Sequence, residues 1–147
     1  MIVEYTFTTK GMAGESISLT LSGSKLKPKV KKAWVAALRS GNYDQTENYL
    51  RVGNNYCCLG VLCDLGSGKW RKPTEMEFNS HCLPDTAKIY CPVGGFVGGP
   101  EKDIGTMPPT TVIEASGITK DDMSALTELN DTGCSFDEIA DFIEEHF

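Results

Sequence analysis

The sequence predicts an α+β fold, a small mixed domain with an N-terminal β-hairpin, a buried central helix and a C-terminal helix pair. Three observations carry this expectation. Apolar and polar residues alternate with period two in two segments at the start of the chain. A long apolar run at residues 55–65 holds three of the six cysteines. Two capping-box patterns, Thr119 with Asp122 and Ser135 with Glu138, open the last two apolar-periodic segments.

In the first segment Ile2, Tyr5 and Phe7 stand against Glu4, Thr6 and Thr8; in the second Ile17, Leu19 and Leu21 stand against Ser16, Ser18, Thr20 and Ser22. With Gly11 and Gly14 to make the turn, this is an architectural hairpin with one buried face. A basic run at residues 25–32 leads into a helix that starts near Pro28, a residue well tolerated in the first helical turn. Val30, Trp34, Ala37 and Leu38 form its apolar stripe, and Gly41 suits a left-handed cap after it. Leu50 and Val52 alternate into a short strand, with Gly53, Asn54 and Asn55 as its turn.

Residues 56–65 read as a buried helix with Cys58, Leu59, Leu62 and Leu65 near one face. Gly60 inside it costs about 1 kcal/mol relative to alanine, which close approach of another backbone explains. Residues 70–109 are punctuated by six prolines and the glycine-rich loop 94–99, with short elements at 75–78 and 86–90. In the C-terminal pair, Met123, Leu126 and Leu129 face the core from the first helix, which runs to about residue 130. Phe136, Ile139, Ala140, Ile143 and Phe147 do so from the second, whose Asp137, Glu138, Asp141, Glu144 and Glu145 make a solvated acidic face.

A chain of 147 residues with 40% hydrophobic content supports one core, so residues 1–147 are expected to form a single domain. Its net charge of −6 argues against long nucleic acid as a partner, because phosphate neutralisation draws on surplus Lys and Arg. Neither a membrane-spanning stretch nor a signal-peptide pattern is present, which leaves a cytosolic protein with reduced thiols as the expectation.

Cys57 and Cys58 ahead of a helix suggest a thiol nucleophile, since a helix N-terminus stabilises the thiolate; His81 is the candidate base. The competing reading is that these cysteines pack in the core. No cysteine pair has Cys-x2-Cys spacing, so no metal site is expected, His81 with Cys82 and Cys91 being a weak version. No cofactor motif occurs either, for the glycine-rich loop matches neither phosphate-binding nor dinucleotide fingerprints. Phe96 at its tip could cover a ring by stacking. Arg39, Tyr43, Gln45, Asn48, Arg51, Trp70 and Arg71 gather aromatic rings and guanidinium groups suited to a nucleotide-like ligand, and equally to a protein interface.

Three stretches, Trp34-Val-Ala-Ala-Leu-Arg-Ser-Gly-Asn-Tyr-Asp-Gln45, Tyr56-Cys-Cys-Leu-Gly-Val-Leu-Cys-Asp-Leu65 and Leu129-Asn-Asp-Thr-Gly-Cys-Ser-Phe-Asp-Glu-Ile-Ala-Asp-Phe-Ile-Glu144, resemble a family of small proteins encoded by bacteriophages and prophages. That resemblance implies a phage accessory protein in the host cytoplasm, of the kind that blunts host defence. The resulting expectation is an anti-defence protein that binds and sequesters a small anionic, nucleotide-like ligand as a homo-oligomer. Its pocket would draw on Arg39, Tyr43, Gln45, Arg51, Trp70, Phe96, Asn130 and Asp131. The alternatives are a cysteine-dependent hydrolase using Cys57 or Cys58 with His81, and an inhibitor that binds a host defence protein through Asp141 and Glu145 of its acidic helix.

Overall fold

Buried apolar helix faces and a few very short strands build the α+β domain. The computed structural model describes residues 2–8, 16–22, 26–66, 68–80, 83–91 and 105–147, with 2–8, 16–22 and 91 as backbone. The expected Gly11 and Gly14 turn, His81, Cys82 and the glycine-rich loop with Phe96 lie outside the described residues. Strands β1 (Ile2–Thr8) and β2 (Ser16–Ser22) pair antiparallel in a register that sets Tyr5 opposite Leu19 and Phe7 opposite Ile17.

Helix α1 (Pro28–Arg39) carries Pro28 in its first turn, and Gly41 just beyond its end adopts φ 77°, the left-handed geometry that favours glycine. Trp34, Val35 and Leu38 are its buried residues, and the Trp34 indole donates to the Cys58 carbonyl at 2.9 Å. Three two-residue strands follow, β3 (Asp44–Gln45), β4 (Arg51–Val52) and β5 (Asn55–Tyr56), in the order β3-β5-β4. Between β4 and β5 a two-residue turn places Gly53 at φ 60°, as tight hairpins of this hand require. The far edge of β4 bonds residues 86–88: Val52 faces Ala87, Gly53 N–H donates to the Thr86 carbonyl at 2.7 Å, and Lys88 N–H donates to the Arg51 carbonyl at 3.0 Å.

Helix α2 (Cys58–Asp64) is buried from Cys58 to Cys63, so it is apolar all round rather than on one face. Leu65, expected on that face, is 42% exposed. Strands β6 (Lys69–Arg71) and β7 (Ile89–Cys91) pair antiparallel around Trp70 and Tyr90, and α3 (Glu75–Ser80) lies between them in sequence. Helices α4 (Thr110–Ser116), α5 (Lys120–Asp131) and α6 (Phe136–His146) complete the chain. Both C-terminal capping boxes form as their sequence patterns require. The core joins Trp34 and Leu38 of α1, the apolar residues of α2, Leu126 and Leu129 of α5 and Ile139, Phe142 and Ile143 of α6. A satellite of Leu83, Ala87 and Ile89 packs with Tyr49 and Phe78. No helix among the described residues is long and apolar enough to cross a membrane.

One ion pair ties β6 to α3 and predicts a pH response. Arg71 grips Glu77 through both oxygens, at 2.7 and 2.8 Å, while Thr74 N–H donates to the same carboxylate at 2.8 Å. The Arg71 hydrogen bonds, helped by Thr74, hold the Glu77 carboxyl down at about 2, against an ordinary 4.5. The unfolded chain therefore takes up this proton first as pH falls. The stabilisation is complete above 4.5 and is lost between there and about 2. Its size is about 1–2 kcal/mol, because the side chains are 33% and 21% exposed and solvent screens them. Urea unfolding at pH 6, 4 and 2 should show this component in the native chain and not in Glu77→Gln; equal pH slopes would remove the assignment.

Candidate functional site

The expected site residues separate into three groups. In the first, an edge-to-face chain of rings runs from Tyr43 to Tyr56 at 5.0 Å, to Trp70 at 5.9 Å and to Tyr90 at 5.1 Å between centroids. Asp64, the last residue of α2, anchors it by accepting from the Tyr43 hydroxyl at 2.6 Å and from the Trp70 indole at 2.9 Å. Burial and then the Asp64 bond push the Tyr43 hydroxyl well above its ordinary value, so it remains a donor. Arg51 lies over the Tyr56 ring at 4.9 Å and the Trp70 ring at 5.4 Å, while its Nε donates to the Gly53 carbonyl at 2.7 Å.

Gln45, Asn130 and Asp131 form the second group, a lattice that holds α2 against α5. Asn130 is 1% exposed. Its Oδ1 accepts from Cys58 N–H and Gln45 Nε2, each at 3.1 Å; its Nδ2 donates to the Thr46 carbonyl at 2.9 Å and to Asp131 at 3.3 Å. Two donors and two accepted bonds are the whole capacity of an amide, so the expectation that Asn130 contacts a ligand is corrected. Gln45 directs its other amide hydrogen to the Cys134 carbonyl at 2.7 Å, and Asp131 accepts from Asn48 N–H at 3.0 Å. The cavity beside Asn130 and Asp131 is about 10 Å³ in volume, room for about one water, and cannot hold a nucleotide.

Arg39 stands apart from both groups. It ends α1 and bridges to Asp141 and Glu144 of α6, each at 2.6 Å, lining a shallow groove with Lys31 and Lys32. The α6 acidic face is solvated as expected, Asp141 and Glu144 staying exposed while they bridge to Arg39.

The thiols behave differently from the nucleophile expectation. Cys57 does cap α2, its sulfur accepting from Gly60 N–H at 3.3 Å. It is 7% exposed, however, and burial pushes its thiol up to about 11, outweighing the N–H bonds that pull the other way. Cys58 and Cys63 are more deeply buried and are raised well above the ordinary value by the same cause. The lowered pKa expected of a helix N-terminus is corrected: burial dominates. Cys58, Cys63 and Cys134 are likewise free and buried. Among the described residues no group of three or more His, Cys, Asp or Glu side chains could hold a metal ion.

A space with room for a ligand lies on the other side of Arg51. A cleft of about 570 Å³ runs from the Gly53 turn to α3 and residues 85–88. Arg51, Lys72 and Lys88 supply three cations, Glu75 and Asp85 two carboxylates, and Phe78 an aromatic wall. Arg39 and Arg71 are engaged by carboxylates, whereas none of the cleft's three cations forms an ion pair among the described residues. Of these residues the sequence singled out only Arg51. Lys72 and Lys88 gave no signal, because their meeting depends on residues 86–88 joining β4 across a long sequence separation.

Residues 26–147 match the model of a family described as a domain of unknown function, DUF8296. The chain belongs to that family, and the match begins after the β1–β2 hairpin. No curated protein and no solved structure matches the chain.

Proposed function

We propose that this protein is a binding protein, not an enzyme, that holds a small anionic, nucleotide-like ligand in the cleft at Arg51, Lys72 and Lys88. The observation that carries the reading is a roomy cleft with three cations that no carboxylate engages among the described residues, one of them fixed in place by Gly53 and two rings. Three lysine or arginine charges against two carboxylates leave the cleft positive on a chain of net charge −6. Phe78 offers a ring to stack against a base. The buried thiols, with their raised pKa values, supply no activated nucleophile. In the phage setting that the motif resemblance implies, such a protein sequesters its ligand in the cytoplasm of the infected cell, as a homo-oligomer.

The test incubates the purified chain with linear and cyclic nucleotides and compares free with heat-released ligand by mass spectrometry. Intact ligand released only on denaturation is the expected result, with retention falling at least about tenfold in Arg51→Ala, since hydrogen bonds from charged groups contribute about 1.5–3 kcal/mol. A ligand of altered mass would make the protein an enzyme. If every nucleotide stays free, the cleft is not a nucleotide site. Arg39→Ala serves as the comparison: it removes an α1–α6 clamp and leaves retention unchanged.

A further inference from the structure

The ligand can be narrowed further, on the premise that the cleft takes a small anion. The hydrogen bonds that flank the Val52 and Ala87 bridge make Arg51 and Lys88 directly opposed residues of an antiparallel pair. Such residues project from the same face of the sheet, with Cα atoms about 5.5 Å apart. On its other flank Arg51 opposes Tyr56 of β5, so Tyr56, Arg51 and Lys88 form one row across β5, β4 and the segment 86–88. Like charges placed directly opposite each other destabilise a sheet. Gly53, Asn54 and the Tyr56 and Trp70 rings hold the Arg51 guanidinium, and Arg51 and Lys88 both line the cleft. Lys72 adds a third positive charge to the same cleft.

We infer that the row is built for a dianion, the terminal phosphate of a phosphate monoester, in preference to a phosphodiester. A monoester presents three unesterified oxygens and close to two negative charges at neutral pH, enough to engage Arg51 and Lys88 together. A diester brings two such oxygens and one charge, and so offers fewer acceptors to Arg51 and Lys88 together. Glu75 and Asp85 on the cleft walls repel a second anionic group and accept hydroxyl hydrogens, so the group beyond the phosphate is neutral and hydroxyl-bearing, as in a nucleoside monophosphate.

Affinities are read from the ligand-dependent rise in Tm of the full chain at pH 8, using methyl phosphate against dimethyl phosphate and adenosine 5′-monophosphate against its 3′,5′-cyclic counterpart. In each pair the monoester should bind at least about tenfold tighter, consistent with one additional charge-assisted contact. Lys88→Met should erase the preference and Lys88→Arg should keep it. Equal affinities within both pairs, with Arg51-dependent binding retained, would overturn the dianion inference and leave the anion cleft standing. Failure of all four probes would overturn both. The ratio is measured on the unaltered chain, so it does not depend on how the variants fold.

Discussion

Replacing Gly60 by alanine should destabilise the protein by about 3 kcal/mol or more, the opposite of what helix propensity alone gives. Alanine is favoured over glycine inside a helix by about 1 kcal/mol, so an open site would be stabilised by the change. Gly60 is not open. A Cβ built there would stand 1.9 Å from the Leu50 carbonyl oxygen and 2.8 Å from its carbon. The obstacle is backbone, and it is fixed from both sides: Leu50 N–H donates to the Gly105 carbonyl at 2.7 Å, and the Leu50 carbonyl accepts from Cys57 N–H at 3.1 Å. Leu50 is itself 1% exposed. Helix α2 would have to move off the segment before β4, opening contacts in the centre of the core. Overpacking of this kind typically costs 1–3 kcal/mol and more when backbone must yield, against a total stability of about 5–15 kcal/mol. Urea unfolding of the two proteins decides it. A Gly60→Ala protein as stable as the native chain would mean that Leu50 gives way freely.

That contact also shows what sequence can carry and what it cannot. A glycine inside an apolar helical run signals close approach, yet nothing local names Leu50 as the partner. Helices α5 and α6 were legible almost to the residue, because a capping box is a pattern of four neighbouring positions and needs no tertiary contact. Helix α4 was not, since Pro109 at its N-cap offers no side-chain acceptor and its apolar Val112 and Ile113 are only half buried. Leu50 and Val52 point to β4 and to the Gly53 turn after it, whereas β3 and β5, with two residues each, are too short for any period to show. The site divided in the same way. Arg51, Tyr43 and Trp70 draw notice by residue type alone, whereas Lys88 meets Arg51 only through the pairing of Val52 with Ala87. Cys57 was placed correctly at a helix start, but sequence did not show how deeply that start is buried. Polar residues at a helix end, such as Asn130, read alike whether they face a ligand or a neighbouring backbone.

Asn130→Ala is accordingly expected to act on stability and not on ligand binding, with a loss of about 3–5 kcal/mol. The side chain occupies a junction of three elements: it accepts from the first N–H of α2 at Cys58, accepts from Gln45 of β3, and donates to the carbonyl of Thr46 just after β3, all from the end of α5. The Cys58 N–H is one of the donors a helix leaves without an internal partner, and it is buried where water cannot replace the amide. Truncation strands that donor and the Thr46 carbonyl together, each at about 1–3 kcal/mol, and adds a cavity. Gln45→Ala should cost less, about 1–2 kcal/mol, because Asn130 keeps its bond to Cys58 and the main loss is the partner of the Cys134 carbonyl. The double variant should lose less than the sum of the singles, since the Gln45 to Asn130 bond is removed in both. Chemical denaturation of the four proteins measures the cycle, and nucleotide retention measured in parallel separates the two roles. An Asn130→Ala protein that keeps its stability but releases its ligand would return Asn130 to the binding site and move the site from the Arg51 cleft to the junction of α2 and α5.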